Sequence, residues 1–207
     1  MSDARAQIAF AFGRLAALLR AGAWQAATSV GLNPAQIEIV GYLARCGPVR
    51  QGDLAEALSV SAASLSDSVA SLARKGLVER AADPQDGRVL HVSLSAEGKT
   101  IAASLPPAPE ALVMALDTLS EREMGDLLRA LTRLIRSLQE ARAIPVQRMC
   151  VTCRHFRPRA HADADRPHHC AFVNAAFGDA GLRLDCGEHE AAPLAETAAA
   201  WRRFEAA

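Results

Sequence analysis

The sequence predicts a mainly α-helical chain with one small β-hairpin and an appended cysteine-rich segment. Three observations lead there. Apolar residues recur at helical spacing over most of the first 142 positions, a single alternating stretch bounded by turn signals interrupts them, and four of the five cysteines lie at or beyond position 150.

The elements follow in order. Ile8, Phe12, Leu15 and Leu19 recur at steps of four, three and four, which places them on one stripe of an amphipathic helix. Asn33-Pro34 is a strong helix start, with a capping oxygen before a proline at the first helical position, and "AQIEIVGYLARCG" runs from it to the stop signal Gly47-Pro48. "QGDLAEALSV" and "SAASLSDSVASLARKGLV" predict two short helices joined by a tight turn. Ser61 is placed to cap the second and Gly76 to end it, with Leu54, Leu58, Leu65, Val69 and Leu72 facing inward. In "LVERAADPQDGRVLHVSLS" an extended run begins at Val78, and Val89, His91 and Ser93 alternate with Leu90, Val92 and Leu94. Asp83-Pro84 and Asp86-Gly87 make the exposed tip of a two-stranded hairpin. Pro106, Pro107 and Pro109 break the helix that begins near Ala96. Residues 110 to 142 are expected to return to helix, apolar along Met124, Leu127, Leu128, Leu131, Leu134, Ile135 and Leu138, and Ile144-Pro145 closes it.

Bulk properties narrow the function. Half of the 207 residues are apolar, enough for a sizeable core, and the formal charge is zero, so any nucleic-acid reading rests on local pattern. The N-terminus lacks a basic stretch followed by a clean apolar run, and Arg14 and Arg20 interrupt any candidate span, so no membrane role and a cytosolic location are expected. A cysteine cluster in that reducing compartment points to a metal or redox site before a disulfide framework. The sequence shows no repeat of 20 to 50 residues, Gly-rich phosphate loop, nucleophile elbow or paired-carboxylate constellation, so no enzyme is expected.

Helix, turn, second helix and hairpin is the order of a winged helix-turn-helix, whose second helix enters the major groove while the hairpin tip touches backbone or minor groove. The residues "LNPAQIEIVGYLARCGPVRQGDLAEALSVSAASLSDSVASLARKGLVERAADPQDGRVLHVSLSAEGK" closely resemble the MarR family of bacterial transcription regulators. The most specific parts are "KGLVER" at 75–80 and "DPQDGRVLHVSLSAEG" at 83–98, and the likeness spans roughly residues 8 to 142. It implies a regulator, most commonly a repressor, in the bacterial cytosol and nucleoid, bound to a double-stranded DNA operator. The resemblance also implies a homodimer built from the terminal helices, with Leu15, Leu19, Leu131, Ile135 and Leu138 as interface candidates, against the plainer reading that these stripes cover their own core. In many relatives a small organic effector is the signal. The expected partition is a DNA-binding and dimerisation domain over 1–143 and a cysteine- and histidine-rich tail over 144–207.

The expected DNA-facing residues at the start of the second helix are Ser61, Ala62, Ala63, Ser64, Asp67 and Ser68, which lie off the Leu65, Val69, Leu72 stripe. Ser64 and Ser68 can bond base edges or phosphates, and an alanine methyl can pack on a thymine methyl. Position 67 departs from the family, whose members usually carry arginine there. Asp67 accepts from a cytosine amino group on one reading, and on the other is a solvated helix charge or orients a nearby arginine. Arg74, Lys75, Arg80 and Arg88 are left to carry the phosphate attraction. Arg88 matches the family's minor-groove arginine and Asp86 would hold it; the alternative is a weak surface ion pair with Asp83 or Asp86.

The tail "CVTCRHFRPRAHADADRPHHCAFVNAAFGDAGLRLDCGEHE" spaces Cys150, Cys153, Cys170 and Cys186 as C-x2-C-x16-C-x15-C. Four thiolates can fill a tetrahedral shell, and the histidines at 155, 161, 168, 169 and 189 are spare ligands, so one metal centre per chain is expected. The spacing suits structural zinc. The order C-x2-C-x2-F, C-x-F and a lone cysteine also looks loosely like high-potential iron–sulfur proteins, and five of the nine aromatics fall here, which suits a shielded cluster or a minimal core around zinc equally. Arg148, Arg154, Arg157 and Arg159 surround the first knuckle and are expected to depress thiol pKa values, to add phosphate contacts, or simply to be solvated. Two roles follow for the tail: a metal or redox sensor governing operator affinity, or a structural staple in a regulator that answers to a small organic ligand.

Overall fold

The structure, a computed structural model, describes residues 3–83, 86 and 89–206. By packing the chain divides into two compact units, Met1–Asp117 and Thr118–Ala207.

In the first unit α1 spans Ala4–Ser29, longer than its apolar stripe, and begins where the Asp3 side chain accepts from the Arg5 amide. A capping box starts α2, Pro34–Cys46: Asn33 accepts from the Gln36 amide while the Gln36 side chain accepts from the Asn33 amide. Gly47 ends it at φ +72°, a left-handed conformation that glycine adopts without a Cβ clash. Then come α3, Gln51–Ala57, and α4, Ala62–Arg74, whose cap is Ser61 accepting from the Ser64 amide. The hairpin forms as expected from β2, Val78–Ala82, and β3, Leu90–Leu94, paired antiparallel from Val78↔Leu94 to Ala82↔Leu90. A short third strand that periodicity cannot reveal, β1 at Val49–Arg50, pairs with β3 and gives the order β1-β3-β2.

Leu54, Leu65, Val69 and Leu72 are buried as expected and Leu58 is half-buried. They join Ile39, Val40, Leu43, Leu77, Val78, Val92 and Leu94 in one core. Each such side chain contributes about 1.5–3 kcal/mol on leaving water, so the hydrophobic term holds the helix pair against the sheet. Helix α5, Ala96–Ser104, stops before the proline run, and α6 spans Glu110–Leu116.

The single helix expected over 110–142 is two. Ser120 caps a new helix, α7, Glu121–Glu140, accepting from the Glu123 amide while Glu123 reaches back to the Ser120 amide. This is the S-x-x-E capping signal, and it outweighs the continuous apolar run because two otherwise unbonded amides gain partners.

That new helix belongs to the second unit. The unit continues with a 3₁₀ turn at Cys150–Thr152, a sheet of order β4-β5-β6 (Phe156–Arg157, His168–Cys170, Ala175–Phe177), a second 3₁₀ turn at Asp179–Gly181, and α8, Leu194–Glu205. Its core is Met149, Val151, Phe156, Leu182 and Phe204, with Ile135, Phe177 and Trp201 packed against it. The expected partition at 143/144 followed the resemblance; compactness instead places α7 with the tail. A Cβ at Gly125 would sit 3.2 Å from the Ala180 amide nitrogen, so glycine lets the second 3₁₀ turn seat against the helix. Arg129 donates to the Phe204 carbonyl at 2.8 Å and lies over its ring, Arg136 lies over Trp201, and Gln139 bonds the Met149 sulfur. No helix of the described residues is long and apolar enough to cross a membrane.

Candidate nucleic-acid interface and cysteine centre

Helix α4 is held from behind. Buried Gln36 donates to the Ser71 hydroxyl at 3.0 Å while its oxygen accepts from the Asn33 amide, so one side chain caps α2 and fixes the far end of α4. Lys75 joins that network, donating to the Gly31 carbonyl at 2.6 Å and to Gln36 Oε1 at 3.4 Å. The Ser95 hydroxyl donates to the Gly76 carbonyl and its amide to the Leu77 carbonyl, tying the turn after α4 to the root of the hairpin. Sequence reasoning missed Gln36. A polar side chain opposite a serine 35 positions away leaves no periodic trace.

With its rear anchored, α4 presents Ser61, Ala62, Ala63, Ser64 and Asp67 as an exposed surface, and Ser68 is half-buried. The Ser61 hydroxyl donates to the Ser64 hydroxyl at 2.9 Å, so the two form one small polar unit at the helix start. Arg74 and Arg80 are exposed. Arg50, not among the sequence candidates, is exposed at the start of α3 and stands opposite His91 of β3, on the same side of the sheet register as the hairpin. Asp83 bonds His91 at 2.9 Å and its amide donates to the Val89 carbonyl, which closes the hairpin root below the tip. Asp86 is exposed and its amide donates to Asp83; Arg88 and its expected pairing with Asp86 lie outside the described residues.

The apolar stripe of α1 is open: Leu15 and Leu19 are 43% and 44% exposed, alongside Ile8, Phe12, Leu18 and Trp24. On α7 Leu138 is exposed with Leu127 and Leu134, Leu131 is half-buried, and Ile135 packs against the second unit's core. Between α1 and the proline segment lies a cleft of about 620 Å³, lined by Leu18, Leu19, Gly22, Ile37, Leu105 and Pro109.

Backbone hydrogen bonds draw the tail's cysteines to one end of the second unit. The Cys150 amide donates to the Arg183 carbonyl, and the Arg183 amide returns to Cys150 Sγ at 3.2 Å. Cys186 donates to the Arg148 carbonyl, Cys153 to the Cys150 carbonyl, and Cys153 also bridges Ala191. Phe156 donates to the Cys153 carbonyl and pairs with Cys170 across the β4–β5 ladder. All five cysteines are free thiols, and these four are half-buried. Among the described residues, no three His, Cys, Asp or Glu groups lie close enough to hold one ion.

The histidines expected as spare ligands have other partners. His155 bonds Glu190 at 3.0 Å, His189 bonds the Thr152 hydroxyl at 3.0 Å, and His161 bonds His169 at 3.2 Å. Buried His168 accepts from the Arg159 amide at Nδ1, which leaves its proton on Nε2 to donate to Asp179 at 2.8 Å. The basic residues do not lower Cys150, which sets aside one of the three readings of that strip. Burial pushes its thiol up to about 11, the Arg183 amide offsets part of this, and the neighbouring Cys186, Cys153 and Cys170 push it further up. The arginines have partners of their own: Arg154 pairs with Glu190, Arg148 donates to the Gly187 carbonyl and Arg157 to the Arg154 carbonyl.

Residues 30–89, the core of the first unit, match the model of the MarR family. The segment is therefore similar to the winged helix-turn-helix of that family. Among solved structures, MepR of S. aureus in a complex with DNA is 25% identical with a TM-score of 0.54, over 63% of this chain and 97% of that one. MepR in its DNA-binding conformation is 25% identical with a TM-score of 0.57, over 63% and 98%. The transcriptional regulator PA4135 shares the fold at 21% identity and a TM-score of 0.51, over 66% and 98%. No match was found among curated proteins. The MarR family consists of transcription regulators and not enzymes, in keeping with the absence of catalytic motifs noted in the sequence.

Proposed function

We propose that this chain is a dimeric, sequence-specific DNA-binding regulator of transcription in the bacterial cytosol, acting as a repressor by occupying its operator. The observation that carries the reading is the exposed start of α4, Ser61 to Asp67, on a helix whose far end is locked through Gln36, Ser71 and Lys75. A helix entering the major groove needs a free N-terminal face and a rigid rear, since a tilt of the rear moves every base contact. The DNA complex of MepR supports the same assignment.

Ser64 and Ser68 meet base edges or phosphates, and the methyls of Ala62 and Ala63 meet thymine. Arg74, Arg80 and Arg50 supply phosphate attraction, and the sequence adds Arg88 between β2 and β3. A dimer carrying so few cations releases on the order of four to eight counterions, a modest salt slope. The exposed apolar faces of α1 and α7 give a second copy something to bury, and a two-fold dimer reads half-sites about one helical turn apart.

The test is operator selection from genomic DNA followed by titration against salt. One enriched, two-fold-related site bound at least a hundredfold more tightly than bulk DNA is expected. Equal weak binding to every duplex would overturn the proposal. The cleft beside the proline segment favours an addition to this reading: a small apolar effector, seated against Leu18, Ile37 and Pro109, that shifts operator affinity.

A further inference from the structure

The DNA-reading unit leaves the four tail thiols without a role. The turn at 150–153, the Arg183 and Arg148 carbonyls and the β4–β5 ladder bring them to one place from three separate segments. None has formed a disulfide, all four are half-buried, and Cys150 and Cys153 pack against the core of Met149, Val151, Phe156, Leu182 and Phe204. A fold that gathers four free thiols in this way has a ligand to hold, and two chemistries can take an all-thiolate set: one zinc ion, or an iron–sulfur cluster.

Spacing separates the two. A tetrahedral zinc with bonds of about 2.3 Å needs its sulfurs roughly 3.8 Å apart, all on one centre. No three His, Cys, Asp or Glu groups among the described residues lie close enough to hold one ion, although backbone bonds draw the cysteine-bearing segments to one end of the unit. The four thiols are therefore gathered without the spacing that one ion requires. A cluster places its irons and bridging sulfides between the protein sulfurs, so its ligands stand farther apart. Histidine completes no tighter mixed set either, since the described His, Cys, Asp and Glu groups nowhere come together in threes around one ion. We propose that Cys150, Cys153, Cys170 and Cys186 ligate an iron–sulfur cluster.

Two further features suit that occupant. The Arg183 amide donates to Cys150 Sγ at 3.2 Å, and amide bonds to ligating sulfurs are among the levers that set a cluster's potential. The core beside Cys150 and Cys153 is apolar and aromatic, which would keep water from a cluster's sulfides. The site also connects to α7: Ile135 packs on the same core and Gln139 bonds the sulfur of Met149, the residue before the first ligand. Helix α7 carries the exposed Leu134 and Leu138 on the adjacent face, so cluster occupancy bears on the surface assigned above to dimerisation. That last link rests on the regulator reading; the cluster itself does not.

The test is metal and sulfide analysis of the full chain purified without oxygen and, separately, reconstituted with iron and sulfide in competition with zinc. Iron and acid-labile sulfide in equal amounts, about two to four of each per chain, with broad visible absorption, are expected. Cys170→Ser and Cys186→Ser lower both, while Cys46→Ser leaves them unchanged. Because a ligand variant can fail to fold, X-ray absorption of the unaltered chain gives the independent readout, and metal–metal scattering is expected. About one zinc per chain with sulfur neighbours alone, or a folded chain that takes up neither metal, would overturn the inference. Operator affinity measured on the same sample keeps the two readings apart: a cluster without specific DNA binding removes the regulator, and specific DNA binding without a cluster removes the cluster.

Discussion

Lys75 Nζ lies 2.6 Å from the carbonyl oxygen of Gly31. A cation expected on phosphate thus closes the loop between α1 and α2, and shares Gln36 with the cap of α2. Replacing Lys75 with methionine is expected to lower stability by about 1 kcal/mol, the scale for an exposed charge-assisted bond, while the salt slope of operator binding changes little. Arg80→Ala is expected to do the reverse, leaving thermal stability alone and reducing the slope by about one. Thermal unfolding and salt titration on both variants decide the matter, and a slope lost with Lys75 would return it to the phosphates.

Gly98, in the first turn of α5, passes over the turn that ends α4. A Cβ there would stand 2.0 Å from the Leu77 carbonyl oxygen, a backbone atom held by the Ser95 amide. Gly98→Ala should cost about 1–3 kcal/mol or more, despite alanine's better helix propensity, since the clash is with backbone. Chemical denaturation of the variant measures it; a gain in stability would mean the turn yields.

In the second unit Asp179 receives a hydrogen bond from buried His168 and lies 3.5 Å from Arg129. The hydrogen bond from His168, followed by the Arg129 guanidinium, holds its carboxyl below the usual range. A carboxyl depressed in the folded state binds more protons when unfolded. Its stabilisation is therefore complete above the unfolded value of about 3.9 and lost as pH falls through the folded one. Asp179→Asn is expected to weaken this unit at neutral pH and to flatten its acid transition below about pH 4. Trp201 fluorescence in a Trp24→Phe background follows that unit selectively, and an unchanged acid midpoint would remove Asp179 from the account.

The exposed stripe of α1 gives the simplest test of assembly. Leu19→Glu places a carboxylate on a face where Leu15, Leu18 and Phe12 are open, which should leave the monomer folded and shift sedimentation from dimer to monomer. Loss of fold in place of loss of mass would mean that the stripe covers its own chain.

Much of the first unit was legible because its signals are local. Asn33-Pro34, Ser61, Gly76 and the alternation from Val89 to Leu94 each act within four residues, and the structure forms the elements they predict. The single helix over 110–142 failed because an apolar run says nothing of where it is cut, whereas the bonds between Ser120 and Glu123 do. Arg50 and Gln36 were invisible for a different reason. Their importance comes from partners on β3 and α4, distant in sequence. In the tail the cysteine spacing marks candidate ligands, but the distance between their sulfurs belongs to the tertiary fold.

The missing side chain at Gly125 carries a consequence for inheritance. Helix α7 accepts the Asp179–Gly181 turn without adjustment where one of its own residues ends at Cα, since a Cβ there would push the turn away by a few tenths of an ångström. A lineage that lost residues 144–207 would no longer need glycine there, and bulkier residues could drift in and strengthen the helix. Any later attempt to graft the cysteine module onto such a descendant would first have to restore that gap.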